Sequence, residues 1–553
     1  MSANTSEQID SYFGDDGRIV VPDGTTVLSF LERNVANWGE SAAYRYLDFA
    51  QHDSGCAVGL TWRQLESRMR ALGARLQQVA APGDRVAVLA PPGVDYVIGF
   101  FAAMWAGAIV VPLFAPELPG HTERLTAVLA DAQPTVVLTT TAAAERVLAF
   151  VRKMIPHHNR PRVIAVDAIP DSASAIFSPG PLATDDIAYL QYTSGSTGTP
   201  KGVEITHRAV CTNVVQMITS VGLDPNIRSV SWLPLYHDMG LLMIMFPMLC
   251  GGHITLMSPS AFVRRPYRWI KELATQSAHG RTFAAAPNFA FELTAQRGQP
   301  PAGNKLDLSN IAGLIDGAEP VSMSSIEKFY TAFAPYGLPA TAVKPSYGLA
   351  EATLFVATIE PAAQPTAIHL HRNQLTRGYA RRVAPQDPNA VPHVSCGRVA
   401  RGQWAVITDS DIGAELPDGR VGEIWLHGDN LGRGYWGRDH DTEAAFRNTL
   451  HSRLQHRSHA QGAPANAFWL RTGDLGVYLN DELYIVGRIK DLVIIDGRNH
   501  YPHDIEATVC KATSSVRPGF IAAFSIPGYQ LAGEAANTSG ERLVIIAERA
   551  PGT

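Results

Sequence analysis

Cysteine is scarce and scattered. Five occur in 553 residues, at 56, 211, 250, 396 and 510, with an odd total and no CxxC pair. That excludes a disulfide framework, offers no zinc site and suits the reduced thiols of a cytosolic protein. An excess of one charge is also missing. The 46 Lys and Arg against 51 Asp and Glu leave a net charge of −5, so nothing argues for a nucleic-acid surface. The N-terminal Met-Ser-Ala-Asn-Thr-Ser-Glu-Gln lacks the basic and apolar regions of a signal peptide. Unbroken apolar runs of membrane length are absent too. Residues 96–115 carry no charge, but Gly99, Gly107 and Pro112 divide them into a helix ending near Gly107 and a strand over 108–113. Residues 239–263 divide in the same way at Gly251-Gly252. Both read as a buried helix followed by a buried strand, so no transmembrane segment is expected.

A Walker A loop is missing as well, because no Gly-Lys is followed by Ser or Thr at the start of a helix. Residues 192–202 instead read Tyr-Thr-Ser-Gly-Ser-Thr-Gly-Thr-Pro-Lys-Gly. Glycines allow backbone N–H groups close to an anion, hydroxyls add donors, and the lysine adds a point charge. Pro200 and Gly202 disfavour a helix at Lys201, and the apolar 187–192 segment leads in, so the loop is expected between two strands. A solvated Gly/Ser/Thr linker would need neither flanking strand.

From 61 to 167 short β-branched runs (85–90, 108–113, 135–139, 163–166) alternate with helical stretches such as 62–79 and 121–132. That alternation predicts a parallel sheet covered by helices. A second such series starts near Ser229 and runs to Val356. Glycine-punctuated strands over 398–426 suggest a compact β module, 450–467 a partly helical polar insertion, and the stretch after Gly487 a βαβ-like unit. The expected fold is α/β. It has a large N-terminal domain of doubly wound sheets over 1–489, with a β module near 397–486. A small, incomplete α+β domain over 490–553 follows, with a hinge at Lys490.

Other segments look chemical. His237 and Asp238 sit between apolar runs in Leu-Pro-Leu-Tyr-His-Asp-Met-Gly-Leu, although a histidine in such a place is more often structural. Ile315-Asp-Gly-Ala-Glu-Pro320 is a strand opening into a turn, and Ser346-Tyr-Gly-Leu-Ala-Glu351 offers an aromatic face, a glycine and a carboxylate. Arg471-Thr-Gly-Asp474 and Gly487-Arg488 place a carboxylate and a guanidinium at loops beside short strands. Each alone is compatible with ordinary turn chemistry.

In this order the motifs resemble those of the adenylate-forming superfamily, which includes acyl-CoA synthetases, peptide-synthetase adenylation domains and luciferases. The phrases at 189–194, 236–240, 286–291, 344–353 and 496–502 are most similar to fatty acyl-AMP ligases, especially the mycobacterial kind serving mycolic-acid assembly. The resemblance implies ATP and Mg²⁺ as cofactors. It assigns the β- and γ-phosphates to Thr193, Ser194, Ser196, Thr197 and Lys201, in the loop that Gly195 and Gly198 open. Tyr347 would stack on adenine, and Gly317 and Ala318 would line the base. Ser346 and Ala350 would lie beside the nucleotide, with Ala350 where relatives often carry Thr. Glu351 would ligate Mg²⁺, Asp474 would accept the ribose hydroxyls, and Arg488 would contact ribose or phosphate. His237 would sit at the mouth of the acyl pocket. Lys201, His237 and Glu351 are the catalytic candidates.

The implied reaction is ATP-dependent activation of a long-chain fatty acid to its acyl-adenylate, in the cytoplasm. The acyl group would then pass to the phosphopantetheine thiol of an acyl carrier protein domain of a polyketide synthase. The polar stretch over 369–393 resembles the insertion of acyl-AMP ligases and favours that acceptor. The intact Thr199-Pro-Lys-Gly202 resembles acyl-CoA synthetases and keeps coenzyme A open. The sequence stops at Thr553 without the Ser-Gly-Lys motif of the superfamily. A truncated form is therefore expected, and a non-catalytic nucleotide-binding protein is the remaining alternative.

Overall fold

Alternating strands and helices build two sheets. The structure, a computed structural model, describes residues 13–14, 17–116, 122–193, 200–223, 227–301, 303–495, 498–513, 515–527 and 541–550. They fall into two units. One holds Met1–Pro365, Arg398–Trp404 and His427–Asn448; the other holds Thr366–Gly397, Ala405–Leu426 and Thr449–Thr553. The 398–426 strands and the residues after Lys490 thus lie mostly in the same unit.

The first unit contains a six-stranded sheet in the order Arg162–Ala165, Val136–Thr139, Arg85–Val88, Ile109–Pro112, Ile187–Thr193, Lys201–Thr206. All neighbours are parallel except the last pair, an antiparallel hairpin that pairs Thr193 with Lys201. The expected loop between strands is therefore the connection of a sheet-edge hairpin. Leu89, Val111, Leu129, Val137, Val147 and Leu190 belong to the core that packs on this sheet.

A nine-stranded sheet carries the second series in the order Arg398–Val399, Phe355–Thr358, Val343–Gly348, Ile311–Gly317, Thr282–Pro287, Arg228–Ser231, His253–Met257, Ala42–Asp48, Cys56–Thr61. Its centre is parallel and its margins are antiparallel. The Ala42–Asp48 strand joins this sheet beside His253–Met257, although the chain from Arg85 to Thr206 builds the six-stranded sheet.

The Trp62–Gln77 helix starts where Thr61 and Gln64 cap each other, the Gln64 N–H donating to Thr61 Oγ1 over 3.2 Å. In the uncharged stretches, helices Val94–Trp105 and Asp238–Cys250 are buried nearly all round and span only 12 and 13 residues. Among the described residues no helix is long and apolar enough to cross a membrane.

In the second unit five strands pair in the order Ala414–Glu415, Gln403–Asp409, Gly422–Gly428, Leu470–Leu479, Glu482–Arg488. The polar stretch near 369–393 forms a hairpin, Ala367–His371 with Ala390–Val394. Its Leu370, with Leu375 of the following turn, shares a core with Val477, Tyr484 and Tyr501. Two expectations are corrected here. Residues 450–467 contain no helix. Their backbone groups pair with side chains instead: Glu415 accepts from the Leu454 and His459 N–H groups, and Arg453 donates to the Ala463 carbonyl. After Gly487 the strands do not form a βαβ unit. The Val493–Ile495/Arg498–His500 and Val516–Pro527/Glu541–Arg549 pairs are antiparallel and flank the Pro502–Ala512 helix.

Candidate active site

The antiparallel pairing that places Thr193 opposite Lys201 fixes both ends of the hydroxyl-rich loop. Ser194, Gly195, Ser196, Thr197 and Gly198 lie outside the described residues. Lys201 begins its strand, and its Nζ lies 2.9 Å from Asp441 Oδ2 and 5.0 Å from the centre of the Tyr435 ring. Hydrogen bonding to Lys201 holds the Asp441 carboxyl below its ordinary value.

Tyr435 arrives on a segment that sequence reasoning passed over, Gly432-Arg-Gly-Tyr-Trp-Gly437. The segment runs along the Lys201–Thr206 strand. The Glu204 N–H donates to the Gly434 carbonyl over 2.9 Å, and the Trp436 N–H to the Gly202 carbonyl over 2.8 Å. The Tyr435 hydroxyl donates to Glu351 Oε1 over 2.8 Å. Burial, reinforced by the Glu351 charge, holds this phenol far above its usual value, so it stays a donor. The signal that could have found the segment is an aromatic pair punctuated by glycines.

Glu351 lies in the 3₁₀ turn Ala350–Ala352 that follows the Val343–Gly348 strand. The next residue, Thr353, has φ of 65°, costly for a β-branched side chain, and its hydroxyl donates to the Asn430 carbonyl over 2.8 Å. Ala350 is buried there, and Tyr347 is buried within the strand. The Ser346 hydroxyl is engaged inside the sheet with Thr358 Oγ1 at 2.8 Å and the Lys344 carbonyl at 2.9 Å. Gly317 ends the neighbouring strand, where an added Cβ would meet the Ser346 carbonyl oxygen at 3.1 Å. Ala318 follows with φ of 66°. Strain of this kind persists where the surroundings over-determine the backbone, and it clusters at ligand sites.

His237 caps the Asp238–Cys250 helix. Its ring is exposed by area, yet crowding followed by the charge of Arg124 pulls its pKa down to about 4. Tyr236 lies tilted against His237 at 4.7 Å and Phe114 lies 4.8 Å from Tyr236, so His237 ends a row of aromatic rings. Asp238 accepts from the Met239 N–H over 2.7 Å. Burial raises its pKa to about 6, and the field of Glu351 adds to the rise, so the His-Asp motif and Glu351 share one electrostatic neighbourhood. The charge of Arg124 acts on His237 from a distant part of the sequence, which sequence reasoning does not reveal.

Asp474 and Arg488 belong to the second unit. The sequence placed them at loops; they lie within paired strands, directly opposite each other. Gly473 adopts φ of 72°, which bends the strand without ending it. Arg488 Nε lies 3.0 Å from Asp474 Oδ1, and Asp474 is buried. Buried Glu423 secures this bend, accepting from the Gly473 N–H at 3.1 Å and pairing with Arg471 at 2.9 Å.

The profile of the AMP-binding enzyme family matches residues 31–436. The long-chain-fatty-acid–AMP ligase FadD32 of Mycobacterium marinum is 49% identical over 551 residues, 97% of this chain and 87% of that protein. The long-chain-fatty-acid–AMP ligase FadD26 of Mycobacterium bovis is 41% identical over 510 residues, 91% and 84% of the two chains. The crystal structure of a fatty acyl-adenylate ligase from Legionella pneumophila, in complex with acyl adenylate and pyrophosphate, aligns with a TM-score of 0.75 at 31% identity. It covers 95% of this chain and 86% of that one. The chain belongs to the AMP-binding enzyme family of ATP-dependent adenylate formers.

Proposed function

We propose that this chain activates a long-chain fatty acid with ATP to the acyl-adenylate and pyrophosphate, in the cytoplasm, and hands the acyl group to the phosphopantetheine thiol of a polyketide synthase carrier protein. The observation that carries this proposal is the meeting of Lys201, Tyr435 and Glu351 at the end of the edge hairpin, with the His237-Asp238 motif in the same field. A chain 49% identical to a long-chain-fatty-acid–AMP ligase supports the choice of acid.

The residues present suit the nucleotide and its metal. Mg²⁺ prefers one or two carboxylates together with substrate phosphates, and Glu351 is a half-buried carboxylate in a turn that Thr353 closes with φ of 65°. When bound there, the metal would neutralise charge on the phosphates. Thr193, Lys201 and the loop of Ser194, Gly195, Ser196, Thr197 and Gly198 would hold the β- and γ-phosphates. Gly317, Ala318, Ser346, Tyr347 and Ala350 would border the base, while Asp474 and Arg488 would take ribose and phosphate. Carboxylate and phosphate repel each other, so positioning and fixed positive charge supply most of the rate. His237, neutral at physiological pH, would offer the acyl carboxylate a hydrogen bond without adding charge. Backbone rotation at Lys490 would let residues 490–553 move between the two half-reactions.

The hairpin near 369–393, which shares a core with Tyr501, supports a carrier protein as acceptor. Lys201 favours the second possibility, coenzyme A, since an anion-binding lysine follows Pro200 as in acyl-CoA synthetases. The deciding experiment supplies ATP, a long-chain fatty acid and either holo-carrier protein or coenzyme A. Fatty-acid-dependent pyrophosphate release with acylation of the carrier is expected. Efficient acyl-CoA formation would overturn the acceptor, and no fatty-acid-dependent release would overturn the activity.

A further inference from the structure

Tyr435 has two polar relationships that a core tyrosine does not need. A buried phenol requires one acceptor, and any carbonyl would satisfy it. Here the acceptor is Glu351, 2.8 Å away, while the ring face carries the Lys201 ammonium at 5.0 Å. The groups so joined lie 150 residues apart in sequence. One follows Val343–Gly348, third from the edge of the nine-stranded sheet, and the other begins the edge strand of the six-stranded sheet.

The platform itself is over-determined. Backbone hydrogen bonds fix Gly434 and Trp436 along the Lys201–Thr206 strand, and the Tyr435 N–H donates to Thr442 Oγ1 over 2.9 Å. Phe446 meets the ring edge-on at 5.2 Å. Gly432 donates to the Glu351 carbonyl at 2.8 Å, so the segment grips Glu351 by its backbone as well as its carboxylate. Phenol-to-carboxylate hydrogen bonds are charge-assisted and directional, and a cation over an aromatic face is held loosely enough to exchange. Tyr435 therefore restricts the Glu351 rotamer tightly and Lys201 more loosely.

We propose that Tyr435 is a positioning residue for the activation step, its hydroxyl orienting Glu351 toward a divalent cation and its ring orienting Lys201 toward the polyphosphate. This inference rests on the function proposed above and adds a residue to it. Asp441 is the counterpart on the lysine side, its carboxylate 2.9 Å from Lys201 Nζ, where an anion would compete with it.

Tyr435→Phe keeps the ring and removes only the hydroxyl, so the glutamate half can be tested alone. Two readouts are needed across a Mg²⁺ series: ATP binding by titration calorimetry and fatty-acid-dependent ATP–pyrophosphate exchange. For Y435F the Mg²⁺ concentration giving half-maximal ATP binding should rise about fivefold, and exchange at subsaturating Mg²⁺ should fall by a similar factor. In an E351Q background the same change should add no further Mg²⁺ shift. Thr442→Val, which frees the Tyr435 N–H, should move the Mg²⁺ requirement in the same direction by less, and it serves if Y435F does not fold. An unchanged Mg²⁺ requirement in the folded variant, or an equal shift in the E351Q background, would reduce Tyr435 to packing. If the parent shows no fatty-acid-dependent exchange, the function is wrong, and the Mg²⁺ dependence of ATP binding still decides the role of Tyr435.

Discussion

Two charged clusters make an instructive pair. In the first unit, Lys201, Glu351 and the Tyr435–Asp441 segment come from three separate stretches and meet through an aromatic platform. In the second unit, Asp474 and Arg488 meet because one sheet places them opposite each other, and buried Glu423 braces the bend beside them. The first arrangement depends on assembly of the whole unit and uses partners that, in the proposed function, a ligand would displace. The second is set by strand register and would persist as long as two strands pair. Residues joined by strand register need only a local pairing, whereas those joined through a side-chain platform need the whole unit folded.

The comparison can be broken from either side. Glu351→Gln keeps the Tyr435 bond but removes the charge a divalent cation needs, so pyrophosphate release should fall by about 100- to 1,000-fold. Circular dichroism should be unchanged; a rate within about threefold of the parent would remove Glu351 from the chemistry. Asp474→Asn should raise the KM for ATP by about tenfold, with a smaller change in kcat, because it weakens a buried, charge-assisted contact without disturbing the sheet. Steady-state kinetics against ATP separates the two terms.

Acid should affect both units. His207 accepts from the Val27 N–H at Nδ1, and burial lowers its pKa to about 4; buried His393 in the second unit is also lowered to about 4. Both folded values lie below the ordinary histidine value, so the unfolded chain binds more protons between about pH 6.5 and pH 4. Stability is therefore lost as pH falls through that window. Each histidine contributes about 3 kcal/mol to the loss, and His393→Gln should flatten its share in urea titrations run from pH 7 to pH 4. The smallest effect concerns the exchangeable pair. Asp441→Asn removes the carboxylate that competes with anions for Lys201, so pyrophosphate should bind about threefold more tightly, with the gain fading at high salt. Weaker binding would show that Asp441 positions the lysine instead of competing for it.

Much of this was legible because the informative residues are local. The Gly/Ser/Thr run entering Lys201, the His237-Asp238 phrase and the turn at Glu351 each declare themselves within a dozen residues. The strand alternation through 85–166 did so too, and the observed strands lie within it or within a residue of its edges. Tyr435, Asp441 and Arg124 were not legible. A tyrosine gains meaning from the carboxylate it faces, and Glu351 is 84 positions away. Asp474 and Arg488 were found as residues but assigned to loops, because Gly473 looked like a breaker and proved to be a bend within a strand. The absence of helix over 450–467 escaped because composition does not reveal that Glu415 and Arg453 would capture its backbone groups.

The placement of the Ala42–Asp48 strand has a consequence for how the protein is made. Its partner strand, His253–Met257, leaves the ribosome some two hundred residues later. At roughly 5–20 residues per second that is a wait of about 10–40 s. During that interval the strands from Arg85 to Thr206 can close their own sheet, while the Ala42–Asp48 hairpin has only Cys56–Thr61 to pair with. A nascent chain paused before residue 253 therefore carries a half-satisfied β-edge, the point where a chaperone or a neighbouring nascent chain would engage it first.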